Sequence, residues 1–150
     1  MILVNGSNII DINKSSLRSK IGVVSQKIFL FKGTVLENIL LGIKDKDRTD
    51  VEAFISKLGL KEYMDRLSNG LDTKLQQNSG LSGGQVQIIA FIRAMLSDKD
   101  VLILDEPFSN LDIETKKILV DLINNIKDKI IIIISHDSKV SISESKEIYI

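Results

Sequence analysis

The chain has 150 residues, enough for one domain of ordinary size, with 43% hydrophobic residues, 27% charged residues and a single proline. Lys+Arg and Asp+Glu are both 20, and a formal net charge of zero excludes a global pull toward nucleic acid or an acidic membrane. Cysteine is absent, which excludes disulfides and thiolate metal sites.

The opening Met1-Ile2-Leu3-Val4, followed by Asn5-Gly6, has no basic segment and too short an apolar run for a signal peptide. The longest apolar run, Ile130–Ile134, falls far short of a membrane span, and Arg93 interrupts the run Val86–Leu96. The expectation is a soluble chain. Ile2–Val4, the Asn5-Gly6 turn and then Ile9, Ile10 and Ile12 read as short strands. Ser15–Lys20 reads as a short helix or a loop, and Ile21–Val24 as a β-branched strand with Ser25-Gln26 at its end. Phe29-Leu30-Phe31 stands before Lys32-Gly33-Thr34 and is expected to pack locally in a loop.

From Thr34 the apolar period becomes helical. Val35, Leu36, Ile39 and Leu40 share a face, with Thr34 as N-cap and Glu37 as its capping-box partner. Asp50–Leu58, closed by Gly59, and Leu60–Leu67 are two further helices, followed by a turn at Asn69-Gly70. A polar loop, Gln76–Gly80, leads into a strong helix from Gly83 or Gly84 to about Ser97. Val101–Leu104 is an apolar strand ending in Asp105-Glu106-Pro107. Asp112 caps a helix with Ile118, Leu119, Leu122, Ile123 and Ile126 on one stripe, and Ile130–Ile134 is a second apolar strand ending at Ser135-His136-Asp137. Strand, helix and strand of this kind predict a βαβ unit in a parallel sheet covered on both faces.

Chemistry collects at two places. The stretch Leu81-Ser82-Gly83-Gly84-Gln85 is either a helix N-terminus whose unpaired amides bind an anion or an ordinary Ser-capped turn. Three strands stop at polar residues, Gln26, Asp105-Glu106 and His136, and ligands of open parallel sheets lie beyond such carboxyl ends. A carboxylate there can hold Mg²⁺, a second can orient or deprotonate a water, and an imidazole can touch a phosphate oxygen. Read one at a time, these residues are equally an ordinary charged strand exit and a surface histidine.

Taken together, the motifs resemble the nucleotide-binding domain of ATP-binding cassette (ABC) transporters. Leu81–Gln85 matches the signature LSGGQ, and Val101–Pro107, VLILDEP, is similar to the Walker B strand and its following glutamate. Ser109-Asn110-Leu111-Asp112 resembles the D-loop, Ile133–Asp137 the switch histidine, and Val24-Ser25-Gln26 the Q-loop, followed by the exporter-like LFKGTVLENI. The resemblance implies an α/β fold, a P-loop NTPase (ABC ATPase) parallel-sheet core with an inserted helical subdomain. The core is expected at about 1–33 and 97–150 and the helical subdomain with the signature at about 34–96. It implies ATP and Mg²⁺ as cofactors, Asp105 and Gln26 at the metal, Glu106 polarising the attacking water, and His136 at the γ-phosphate. Ser82, Gly83, Gly84, Gln85 and Asp112 would act across a head-to-tail dimer with a second cassette. Transmembrane domains would be the other partners, holding the chain at the cytoplasmic face of a membrane, with no nucleic acid involved.

Departures from the family pattern define a further expectation. None of the nine glycines is followed by lysine, so the Walker A motif G-x-x-x-x-G-K-[ST] is absent, and the family's adenine-stacking aromatic has no counterpart in Tyr63 or Tyr149. The chain reads as an incomplete cassette over 1–150, with a last strand at Glu147–Ile150 and little ATPase activity alone. Exposed apolar faces and marginal stability are expected with it. Val86 and Ile88 stand where the family usually has arginine, and Gln76-Gln77 where exporters often have Gly-Glu. The function implied is ATP hydrolysis coupled to transmembrane export. The alternative is a catalytically silent cassette that presents its signature to another.

Overall fold

The computed structural model describes residues 1–76, 80–97, 99–109, 111–136 and 142–143. Asn5 and Gly6 both take positive φ, 49° and 79°, which suits a two-residue hairpin turn between β1 (Leu3–Val4) and β2 (Ser7–Asn8). The expected strand through Ile9, Ile10 and Ile12 does not form. Ile9–Asp11 is a 3₁₀ turn, because the Asn8 side chain accepts the Ile10 amide and caps it. Asn13 likewise caps α1 (Lys14–Lys20), which runs into β3 (Ile21–Val24).

Gly33–Thr34 (β4) precedes α2 (Val35–Ile39), and the Thr34–Glu37 capping box has both reciprocal bonds. Asp47 caps α3 (Arg48–Lys57), and Gly59 at φ 68° ends that helical region. Helix α4 (Lys61–Asp65) is shorter than expected, and β5 (Lys74–Leu75) pairs antiparallel with β4. Helix α5 (Gly83–Leu96) buries Ile88, Ile89, Phe91 and Ile92 almost completely. A 3₁₀ turn at Gly70–Asp72, strand β6 (Val101–Asp105), helix α6 (Ile113–Asn124) and strand β7 (Ile130–Ile134) complete the described elements. Gln77, Asn110, Asp137 and the Glu147–Ile150 strand lie outside the described residues.

The sheet runs β3-β6-β7, all parallel, with Val24 beside Leu104 and Asp105 beside Ile134. This is the βαβ unit that two apolar strands around an amphipathic helix require. One face carries Val24, Leu102 and Leu104, all buried; α5 packs on β3 and α6, and Leu119, Leu122 and Ile123 join the same core.

Among the described residues no layer covers the other face. Val23, Ile130, Ile132 and Ile134 are about half exposed or more, so the expectation of cover on both faces fails. A continuous isoleucine run marks a strand that can be buried on both sides; it does not supply the second layer. Exposed apolar residues, expected from the sequence, are observed on this face.

Candidate functional site at the strand tips and the signature turn

Parallel register brings the three strand ends to one edge. Val24 is level with Leu104, and Asp105 with Ile134, so Ser25-Gln26, Asp105-Glu106 and Ser135-His136 leave the sheet side by side. Glu106 follows the strand with φ 50°, a left-handed conformation that a non-glycine residue adopts only under local constraint. Its amide donates to the Ile134 carbonyl at 2.8 Å, and its carbonyl accepts from the Ser109 amide at 3.1 Å and the Ser109 hydroxyl at 3.0 Å. The twist turns the carboxylate across the tip of β7. Glu106 Oε1 accepts the His136 backbone N–H at 2.9 Å and lies 3.7 Å from His136 Nε2.

The two side chains differ in exposure: Glu106 is 16% exposed and His136 97%. The carboxylate is therefore held by the protein while the imidazole projects into solvent. Asp105, on the same pleat as Ile103, is half-buried beside it, and Gln26 is exposed at the end of β3. Among the described residues no hydrogen bond or ion pair engages the Asp105 carboxylate or the Gln26 side chain, and no group of three or more His, Cys, Asp or Glu side chains gathers as metal ligands. A carboxylate and an amide oxygen fit Mg²⁺, which takes one or two protein oxygens and completes its shell with water and phosphate.

At the signature turn Ser82 is the N-cap of α5. Its Oγ accepts the Gln85 amide at 3.2 Å, while Gln85 Oε1 accepts the Ser82 amide at 2.9 Å. The Ser-capped turn is therefore real, and it leaves the Gly83 and Gly84 amides with no acceptor inside the helix. Gly84 is buried against Thr115 and Tyr63: a Cβ there would lie 2.8 Å from Thr115 Oγ1, 2.9 Å from Thr115 Cγ2 and 3.1 Å from the Tyr63 hydroxyl. Only glycine permits this approach. Ile88, where arginine is usual in the resemblance, is fully buried core.

Asp112 caps α6. Oδ1 accepts the Thr115 amide and Oδ2 the Thr115 hydroxyl, each at 2.8 Å, and these two bonds hold its carboxyl below the ordinary carboxylate range. Because the folded value is depressed, the cap is complete above the ordinary Asp range and is lost as pH falls through the depressed value. Protection at the α6 N-terminus should therefore fall in acid, and Asp112→Asn should remove that pH step; amide exchange followed against pH measures both.

Tyr63, Thr115 and Asn38 have no role in the sequence-based site, yet each joins functional segments. Asn38, 2% exposed, clamps the loop after Gln26: Oδ1 accepts the Phe31 amide at 2.7 Å, and Nδ2 donates to the Phe31 and Thr34 carbonyls at 2.9 Å each. Arg93 of α5 donates to the Asn38 carbonyl at 2.7 Å, and burial lowers the Arg93 pKa from its ordinary value. The only sequence signal was an asparagine on an otherwise apolar helix face. Above this network a groove of about 500 Å³ is lined by Val23, Lys27, Phe29, Phe31, Arg93 and Lys99.

A parallel α/β sheet with chemistry at its carboxyl edge and a glycine-opened helix beside it defines a P-loop NTPase type of fold. The ABC transporter family model matches residues 1–109, and the chain belongs to that family. It is 40% identical over 138 residues to an ATP-dependent lipid A-core flippase of Mannheimia succiniciproducens, covering 90% of this chain and 24% of the flippase. It is 39% identical over 148 residues to the transport/processing ATP-binding protein ComA of Streptococcus pneumoniae, covering 97% of this chain and 20% of that protein. Among solved structures, a bacterial Atm1-family ABC exporter with ATP bound superposes with a TM-score of 0.79 at 28% identity, over 90% of this chain and 24% of the exporter. The chain thus spans about a quarter or less of the length of these relatives. Among the described residues no helix is long and apolar enough to cross a membrane.

Proposed function

We propose that this chain is the signature-bearing part of a nucleotide-binding domain that couples ATP hydrolysis to transmembrane export. The observation that carries the reading is the strand-tip geometry, in which Glu106 is twisted toward His136 beside Asp105. Glu106 orients and polarises a water, and His136, exposed and able to swing, reaches the γ-phosphate. Asp105 and Gln26 hold Mg²⁺ through oxygen; the ion, when bound, offsets phosphate charge. Ser82, Gly83, Gly84 and Gln85, with Asp112 beside them, close over a nucleotide held by a second cassette in a head-to-tail dimer.

Residues 1–33 and 97–150 form the core and 34–96 the helical subdomain in this reading. The groove beside Gln26, with Phe29 75% and Phe31 55% exposed, supports contact with transmembrane domains at the cytoplasmic face. A second reading, a silent cassette that only presents its signature, rests on one observation: the Ser82–Gln85 turn is fully formed within this chain.

Mg-ATP turnover by the 150-residue chain tests the reading. The chain alone is expected to turn over ATP at no more than background, because the P-loop donors to the β- and γ-phosphates are absent from its sequence. Appreciable turnover by the chain alone, abolished by Glu106→Gln, contradicts it.

A further inference from the structure

Three segments meet at one hydroxyl. Thr115, 2% exposed, donates its O–H to Asp112 Oδ2 and its amide N–H to Oδ1. A hydroxyl has one proton, and Asp112 takes it, so the 3.5 Å contact with the buried Tyr63 hydroxyl runs with Tyr63 as donor and Thr115 Oγ1 as acceptor. The same Oγ1 and the Thr115 methyl form the surface on which Gly84 rests without a side chain. One residue of α6 thereby fixes its own cap, the side of α4 and the first turn of α5. The neighbouring Arg66–Glu114 ion pair at 2.7 Å joins α4 to α6 as well, but it is more than half exposed and a weak anchor.

We propose that Thr115, seated against Tyr63, is a positioning residue that sets the Ser82–Gln85 turn and the Asp112 cap as one body. The functional consequence rests on the proposed action of these elements across a cassette dimer; the structural one does not. If the turn and the cap moved independently, each would pay its own ordering entropy on closing over a nucleotide, whereas a joint body pays once. The buried hydroxyl pair also works in a low-dielectric setting, where its loss is felt by both partners.

The test uses the full 150-residue chain and three substitutions. Thr115→Val keeps the shape and the methyl under Gly84 but removes the donor to Asp112 and the acceptor for Tyr63. Thr115→Ser restores both. Amide hydrogen exchange is expected to accelerate about tenfold at Gln85 and at residue 115 in Thr115→Val, with Ile89 and Leu104 unchanged, and to return toward the parent in Thr115→Ser. Tyr63→Phe should give a smaller effect at the same two amides. No change at Gln85 in Thr115→Val overturns the proposal; so does uniform acceleration at all four amides, which would mark a residue that only stabilises the fold. In a second arm the chain is mixed with an intact exporter-type cassette whose own signature is disabled. Thr115→Val should raise the apparent KM for ATP about tenfold with kcat little changed, because the turn grips nucleotide and does no chemistry. Absence of stimulation by the parent chain would count against the proposed function, while the exchange result would still decide the role of Thr115.

Discussion

Once the chain is joined to a P-loop segment, Glu106→Gln is expected to lower ATP turnover by about 10²–10⁴-fold while leaving nucleotide binding and fold intact. The reason lies in how the side chain is held. Glu106 is 16% exposed, and its Oε1 accepts the His136 amide at 2.9 Å. A glutamine in the same rotamer offers the same carbonyl acceptor, so the bond that links the tips of β6 and β7 is kept. Only the negative charge and the basicity are lost, the two properties by which the proposed mechanism has Glu106 polarise a water. Turnover measured against a thermal melt separates the two: a Tm shift of several degrees would show that the charge had a structural task, and unchanged turnover would remove Glu106 from the mechanism.

Asn38→Ala is expected to destabilise the chain by about 2 kcal/mol. The Asn38 side chain is buried and both polar ends of its amide are engaged, and alanine strands the part-buried Phe31 N–H and C=O that it satisfied. An orphaned group costs about 1–3 kcal/mol when fully buried and less when part-buried, while Arg93 keeps its 2.7 Å bond to the Asn38 main-chain carbonyl and loses only the 3.5 Å contact of its Nη2 with Oδ1. Urea unfolding should show a lower midpoint with the slope unchanged. A loss under about 1 kcal/mol would mean that water replaces the amide and that the loop after Gln26 is not clamped.

Local rules made much of this fold legible. The capping boxes at Thr34 and Ser82 and the Asp112 cap occur where residue identity at fixed offsets demands them, since each is settled within one helical turn. The convergence of Gln26, Asp105-Glu106 and His136 followed from strand ends alone, because parallel strands share a carboxyl edge. Non-local contacts were not legible. Gly84 reads as a turn glycine, but its close approach to Thr115 depends on how α5 and α6 cross. Asn38 sits within a helical apolar pattern that gives no sign of Phe31 or Arg93 as partners. Ile9–Asp11 has the composition of a strand, and a single Asn8 bond bent it into a 3₁₀ turn. The run Ile130–Ile134 could not say that one side would lack a covering layer.

Central to this view is that the signature turn works on a nucleotide held elsewhere, which a single trans measurement addresses. ATP turnover by an intact exporter-type cassette with its own signature disabled should rise when this chain is added. Ser82→Arg in this chain should abolish the rise, because a long cation at the α5 N-cap blocks the turn and opposes the helix dipole. Glu106→Gln in this chain should leave the rise unchanged, since its strand tip faces no P-loop in that pair. A rise that survives Ser82→Arg, or the absence of any rise with the parent chain, would contradict the assignment of Ser82–Gln85 as a trans-acting nucleotide clamp.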